Sequence, residues 1–377
     1  MEQMHFDVVI IGAGIAGSSI AACLAPERRV ALLERESQPG YHSTGRSAAL
    51  FSETYGNFVV RALSRASRDF LFDPPQGFSE YPLVSARGAL HIAREDQKAE
   101  LEKFLSTPDI AAHAEVMTAD RVRELCPILR GDYAIGGVLE SQARDVDVHG
   151  LHQGYLSRIR AAGGRLFTDA EITGLERTTR GWSVHTRLGM FEAPVVVNAA
   201  GAWADEIAKL AGLAPIGIVP HRRTAVIVDA PEGTDIANMP LTIDIGESFY
   251  FKPEAGKILL SPADETPSPP CDAQPENMDV AIAIDRVQSA TTLEISRVPR
   301  KWAGLRSFAP DRSLVIGFDP AGEGFFWLAG QGGYGIQTAP AASRTAAALV
   351  CGHPMPEDVA AGGVTAHMIS PQRFLRG

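Results

Sequence analysis

Phe6-Asp7-Val8-Val9-Ile10-Ile11-Gly12-Ala13-Gly14-Ile15-Ala16-Gly17 is the stretch on which the fold turns. Its apolar run predicts a buried parallel strand. Gly12 permits a tight turn, Gly14 lets a ligand approach the backbone, and Gly17 lets the following helix lie close on the strand. That helix offers its first N–H groups and the positive end of its dipole to whatever sits over the turn. Val30-Ala31-Leu32-Leu33 reads as a second strand, and Glu34 ends it at the spacing where a carboxylate meets ribose hydroxyls. Strand, glycine turn, helix, strand and acid together predict a dinucleotide site. The carboxylate would repel a 2′-phosphate, so FAD or NAD is expected rather than NADP. Val8 to Ala25 is almost continuously apolar and could also read as a signal peptide or membrane anchor. Met1 to His5 carries no Lys or Arg, Asp7 follows, and glycines interrupt the run, which favours the turn.

The chain has 377 residues, enough for two domains and a large core. Its 45% hydrophobic and 21% charged content is ordinary for a globular protein. A net charge of −10 argues against a nucleic-acid partner, which needs a basic face. No other segment could span a bilayer. Cys23, Cys126, Cys271 and Cys351 are far apart and form no CxxC pair. Neither a disulfide framework nor a metal site is expected, and the default setting is reducing and cytoplasmic.

Beyond Glu34 comes a polar, glycine-containing run from Gln38 to Ser47. Helical spacing recurs over 57–72, near 95–105, near 118–125 with Thr118 as N-cap, and over 149–162 before Gly163-Gly164. Arg165–Thr168, Ile172–Glu176 and Trp182–Arg187 read as short strands. Pro194 to Asn198 is another buried strand, running through Ala199-Ala200-Gly201-Ala202 into a helix over 203–211. Arg222–Val228, Ser248–Lys252 and Ile258–Ser261 suggest a separate antiparallel sheet. The proline-rich Glu265 to Pro270 reads as a surface excursion. Phe325 to Ala329 is a strand leading into Gly330-Gln331-Gly332-Gly333-Tyr334-Gly335 and a helix to Val350. This second glycine turn lacks the following strand and acid, so it is not another dinucleotide unit. Feeding a helix N-terminus, it can still stabilise negative charge.

These runs resemble the D-amino-acid oxidase-like flavoproteins, and most of all the bacterial D-arginine and broad-specificity D-amino-acid dehydrogenases. The marks are Gly12–Gly17 with Glu34, Tyr41-His42-Ser43-Thr44-Gly45-Arg46-Ser47-Ala48-Ala49, Val197 to Trp203, Ser248-Phe249-Tyr250, Trp302-Ala303-Gly304-Leu305-Arg306-Ser307-Phe308 and Gly330–Gln337. The resemblance implies an α/β architecture: a Rossmann-like FAD domain interleaved with an α+β substrate domain on a mainly antiparallel sheet. The FAD domain would comprise 1–85, 143–215 and 305–377, and the substrate domain 86–142 and 216–304. With no cysteine in the matching C-terminal glycine region, FAD is expected to be noncovalent. Its contacts would come from Gly12, Gly14, Ile15, Ala16, Gly17, Glu34 and Arg35, then His42, Ser43, Thr44, Ser47, Ala48 and Ala49. Ile172, Ala200 and Gly201 would serve the adenosine and diphosphate end. Gly332, Gly333, Tyr334, Gly335, Ile336 and Gln337 would serve the flavin.

The implied activity is oxidative deamination of D-amino acids to 2-oxo acids through an imino acid. Hydride would pass from Cα to flavin N5, and electrons on to a quinone or other carrier. An oxidase using O₂, or an enzyme for glycine, imino acids or opines, is the alternative; a noncatalytic flavin-binding subunit is a remote one. An amino-acid substrate needs a carboxylate clamp, for which arginine's fork is suited. Arg223 and Arg306 match the carboxylate-binding arginines of the resembling enzymes, although either could read as a surface ion-pair residue. Tyr55, on a loop expected to be mobile, and Tyr250, opposite in face to Phe249 and Phe251, would reach the same carboxylate, with Gly333 beside it. Core packing is the alternative for Tyr250. His42 is read as cofactor-side or structural, and no side chain is assigned as acid or base. The D-arginine enzymes carry an acid where Ala89 stands and a more polar residue where Leu50 stands. Ser85 to Leu90 contains no acid here and one arginine, Arg87, so an apolar or smaller side chain is expected of the substrate. Arg87 reads as solvated, or as favouring an acidic or opine-like substrate. The expected location is cytoplasmic or peripheral to the inner membrane, with the oligomeric state open.

Overall fold

Under the N-terminal motif lies a six-stranded sheet in the computed structural model, which describes residues 3–374. Its order is Arg165–Phe167, Val30–Leu33, Val8–Ile11, Val195–Asn198, Phe325–Ala329 and Val315–Phe318. The first five strands run parallel and the last is antiparallel to its neighbour. Val8–Ile11 and Phe325–Ala329 are buried at every position, as strands covered on both faces must be. Helices Ile15–Leu24, Phe58–Phe72, Val148–Ala161 and Gly335–Val350 contribute to the core on one face. The other core gathers Trp182, Phe191, Phe325 and Trp327 and takes in a four-stranded sheet. Its strand Gly189–Ala193 was not foreseen.

Gly12 sits at φ +98°, and a Cβ there would come 2.5 Å from the Ala199 carbonyl oxygen. A Cβ on Gly17 would come 1.8 Å from Gly12 O, so the helix can lie on its strand only without one. These two glycines build the turn.

The second large sheet has nine strands and is antiparallel except where Leu241–Asp244 runs parallel to Ala89–Ala93. Val219–Asp229 is its longest strand and pairs with Lys257–Ser261, with Arg300–Phe308 and with Thr266–Pro267. The proline-rich segment is exposed, as expected of a surface excursion, and is tied to the sheet edge at His221 and Arg222. Edge strands tolerate the missing proline N–H. The division expected at 305 falls inside Arg300–Phe308. Period-two alternation separates the faces. Leu90, Ile92, Val226, Val228, Phe249 and Phe251 enter a core behind the sheet, while Ala89, His91, Arg223, Ala225 and Tyr250 face a cleft toward the six-stranded sheet. Thr118 caps its helix by accepting from Arg121 N–H, as expected.

Candidate active site

A cleft of about 520 Å³ runs from the N-terminal glycine turn to the face of the nine-stranded sheet. Every residue expected to touch cofactor or substrate lines it except Gly17 and Tyr334. Gly17 acts beneath the turn, by the packing just described. Tyr334 is buried with its ring 4.9 Å from that of Tyr55, edge to face, so it supports Tyr55 instead of lining the cleft.

At the glycine-turn end the polar groups are largely committed to one another. Glu34 accepts from Ala13 N–H at 2.9 Å and from Glu36 N–H at 3.0 Å. Burial pushes its carboxyl above the usual range, against those two hydrogen bonds. Thr44 Oγ1 accepts from Ile15 N–H at 3.0 Å, so one N–H of the first helical turn is already occupied. His152, which sequence reasoning missed, bonds Ala13 O through Nε2 at 2.9 Å and fixes the turn from below. His42 lies 2.9 Å from Glu36 and packs beside Trp203, with ring centroids 4.7 Å apart. Arg35 stacks over Trp203 at 4.7 Å. This aromatic and cationic corner, with Ile172 near it on the cleft wall, suits an adenosine. Trp203 was legible only as the start of a helix.

Two distant runs, Tyr41–Ala49 and Trp302–Phe308, are hydrogen-bonded together in the middle of the cleft. Ser43 Oγ donates to Leu305 O at 2.6 Å, Trp302 Nε1 donates to Arg46 O at 2.9 Å, and Arg46 Nη1 donates to Ala303 O at 3.1 Å. Between them the wall is made of the small residues Ser47, Ala48 and Ala49. Across from it, the second glycine turn is bonded to the same strand, Gly332 N–H donating to Ser307 O at 2.9 Å. Its helix begins at Gly335.

Arg306 is the chemical focus of the other end. A Cβ on Gly333 would come 2.9 Å from Arg306 Nη1, so the guanidinium occupies the space a side chain would fill. Its one side-chain hydrogen bond among the described residues is Nη1 to Tyr55 OH, at 3.1 Å. Burial opposes its charge, but the tyrosine oxygens around it hold its titration above the usual arginine value. The remaining N–H groups are available to a ligand anion. Arg223 differs. Its Nε donates to Asp264 O at 2.7 Å and its Nη2 to Glu265 at 3.2 Å, and Glu265 is also held by Arg312. Tyr250 lies under Arg223, 6.0 Å from guanidinium carbon to ring centroid. Burial resists ionisation of its phenol, yet Arg306 and Arg223 together pull it below the ordinary value.

The loop carrying Tyr55 is pinned. Ser52, Glu53 and Thr54 are buried. Ser52 Oγ and Thr54 Oγ1 each donate to Glu140 at 2.7 Å, and Glu53 N–H donates to it at 2.6 Å. Ser52 N–H donates to Gln337 at 3.0 Å, whose amide nitrogen in turn donates to Ser64. Gln337 therefore anchors the loop as well as lining the cleft. Arg87 is neither solvated nor in the cleft: it donates to Asp145 at 2.6 Å and to the Met239 carbonyl at 2.9 Å.

A glycine-built helix N-terminus, the Glu34 carboxylate beside it and a wall of short side chains ending at a second glycine turn form one continuous channel that suits a long dinucleotide. The FAD-dependent oxidoreductase (DAO) family model matches residues 7–349. The chain belongs to the DAO family of FAD-dependent oxidoreductases. FAD is its cofactor, and the residues lining the channel fit it. Among DAO relatives, the chain is 30% identical over 246 residues to L-2-hydroxyglutarate dehydrogenase of Escherichia coli, a match covering 62% of this chain and 56% of that protein. Glycine oxidase of Geobacillus kaustophilus is 24% identical over 97% of this chain and 98% of its own length. Among solved structures, L-proline dehydrogenase from P. horikoshii superposes with a TM-score of 0.84 at 21% identity, covering 99% of this chain and 98% of that one. The fold is therefore the DAO fold. No helix among the described residues is long and apolar enough to cross a membrane.

Proposed function

We propose that this DAO protein oxidises the carbon–nitrogen bond of an α-amino acid, with D-amino acids the leading substrates, and passes the electrons to a quinone or another carrier. The observation that carries this reading is Arg306, half-buried beside Gly333, hydrogen-bonded through its side chain only to Tyr55 among the described residues, and lining the cleft with its other donors unfilled. Two parallel N–H groups of a guanidinium match a carboxylate. Tyr55 and Tyr250 place hydroxyls beside it, and Arg223 adds positive potential while it remains tied to Glu265. Anchoring the carboxylate fixes the direction of Cα–H, which is the orientation such an oxidation requires. FAD, when bound noncovalently in the channel, supplies the two-electron acceptor. Loss of two electrons and two protons from the neutral amine gives an imino acid, which water hydrolyses to a 2-oxo acid and ammonia.

An amine is favoured over a 2-hydroxy acid because an ammonium gives its proton to water, whereas a hydroxyl needs a base. The clamp end offers no such group among the described residues that is both close and unengaged. Glu265 is held by two arginines, and His42 is engaged with Glu36 at the far end. A second reading, an oxidase of glycine or an imino acid that uses O₂, is supported by the end-to-end match to glycine oxidase and by likeness to iminodiacetate oxidase from Chelativorans, with a TM-score of 0.80.

Anaerobic mixing of the holoenzyme with D- and L-amino acids, glycine, iminodiacetate and 2-hydroxy acids, followed by O₂, tests the readings. Bleaching of the flavin by D-amino acids with slow reoxidation supports the first. Bleaching by glycine or iminodiacetate with rapid peroxide formation supports the second. Bleaching by 2-hydroxy acids alone would sink both.

A further inference from the structure

His91 is a polar side chain that the clamp does not use. It follows Ala89 by two residues on Ala89–Ala93, so both face the cleft while Leu90 and Ile92 enter the core behind. Ile243 is its neighbour on the next strand, and Tyr250 lies opposite Ile243 on the strand beyond. Two strand spacings, about 10 Å, thus separate His91 from the clamp tyrosine. Leu50, Ala89, Leu241 and Ile243 make the intervening wall, which is hydrocarbon throughout. Phe104 packs on the imidazole, with ring centroids 4.7 Å apart, and holds it in place. Burial alone acts on the ring and pushes its titration down to about 4, with no hydrogen bond and no charged neighbour contributing. Glu247, the acid that lines this side of the cleft, stands exposed on the turn after Leu241–Asp244.

We infer that His91 closes a side-chain subsite for amino acids whose long, neutral side chain ends in a hydroxyl or amide. This rests on the reading of Arg306 as the carboxylate anchor. A neutral imidazole presents one donor and one acceptor, as a phenol or carboxamide does. A guanidinium or ammonium would meet no buried acid there, and a carboxylate no buried cation. A hydrocarbon end would fill the wall but leave the imidazole unpaired. Glycine would leave the subsite empty.

Unreactive carboxylic acids test this without turnover. Calorimetric titration of the holoenzyme with hydroxyphenylpropanoate and phenylpropanoate should show the hydroxyl compound binding about 5-fold tighter. His91→Leu should abolish or invert that ratio. His91→Asn, which keeps one donor and one acceptor, should retain it and guards against a folding defect in the leucine variant. An unchanged ratio in His91→Leu, or tighter binding of a dicarboxylate or of a guanidino acid, would overturn the subsite while leaving the clamp intact. If neither probe bound, or if Arg306→Ala bound both as well as the wild type, the clamp reading would fall and the subsite with it.

Discussion

Glu34 and Thr44, at one end of the cleft, each hold a backbone N–H of the glycine turn, whereas the Arg306 side chain, at the other, has a single tyrosine for a hydrogen-bond partner among the described residues. The first end is a scaffold whose polar groups satisfy one another and keep the backbone in shape for a cofactor. The second keeps a half-buried charge with unfilled donors. A cation partly withdrawn from water is costly unless an anion completes it. On the proposed function, the contrast teaches where discrimination lies: cofactor binding would be spread over many backbone contacts, and substrate binding concentrated in one guanidinium.

The sharpest way to break this comparison is to truncate both arginines. Arg306→Ala should lower kcat/KM for a good substrate by about 100-fold or more, as expected for removing one partner of a buried charge pair. Arg223→Ala should cost about 10-fold or less, because Asp264 and Glu265 already engage its Nε and Nη2. Equal losses in steady-state kinetics would show that the two arginines share the anion. Next in size is the buried anchor of the Tyr55 loop. Glu140→Ala should cost about 2–3 kcal/mol in denaturant unfolding, through the hydroxyls and N–H left without an acceptor. Glu140→Gln exposes the titration. Burial raises the folded-state value above the ordinary 4.5, against three hydrogen bonds. The folded protein therefore binds the proton more tightly than the unfolded chain. This contribution is full below 4.5 and is lost as pH climbs to the raised value. The stability of the wild type relative to Glu140→Gln should fall over that window, and a flat difference would show that the carboxyl titrates normally. The smallest effect belongs to Tyr55→Phe. Loss of one hydroxyl beside Arg306 should weaken binding of an unreactive carboxylate about 5-fold in the same calorimetric titration.

What could be read in advance follows the same division. The glycine turn, its two strands and Glu34 are local in sequence, so spacing alone located them. Alternation placed Tyr250 opposite Phe249 and Phe251, and those two phenylalanines are indeed in the core behind the sheet. The substrate end is assembled from segments far apart in the chain, and no period announces which of them meet. Arg223 and Arg306 were legible as clamp candidates through family likeness, but the difference between them depends on Glu265, whose proline-rich segment read only as a surface excursion. Glu140 and Gln337 gave no local signal, because their partners lie 88 and 285 residues away. His91 drew no reading from the sequence, since only the pairing of Ala89–Ala93 with Leu241–Asp244 brings it to the cleft.

The six-stranded sheet also sets an order of events during synthesis. Val195–Asn198 stands between the N-terminal strand and Phe325–Ala329, and Ile15–Leu24 packs against Gly335–Val350. The glycine motif leaves the ribosome long before Phe325–Ala329 and Gly335–Val350, which complete its sheet and cover its helix. Until then the nascent chain carries an unpaired edge at Val195–Asn198 and an uncovered apolar helix, the features that invite misassembly. Because Leu305 and Gly332 also belong to the cleft wall, stable cofactor loading waits for those downstream segments.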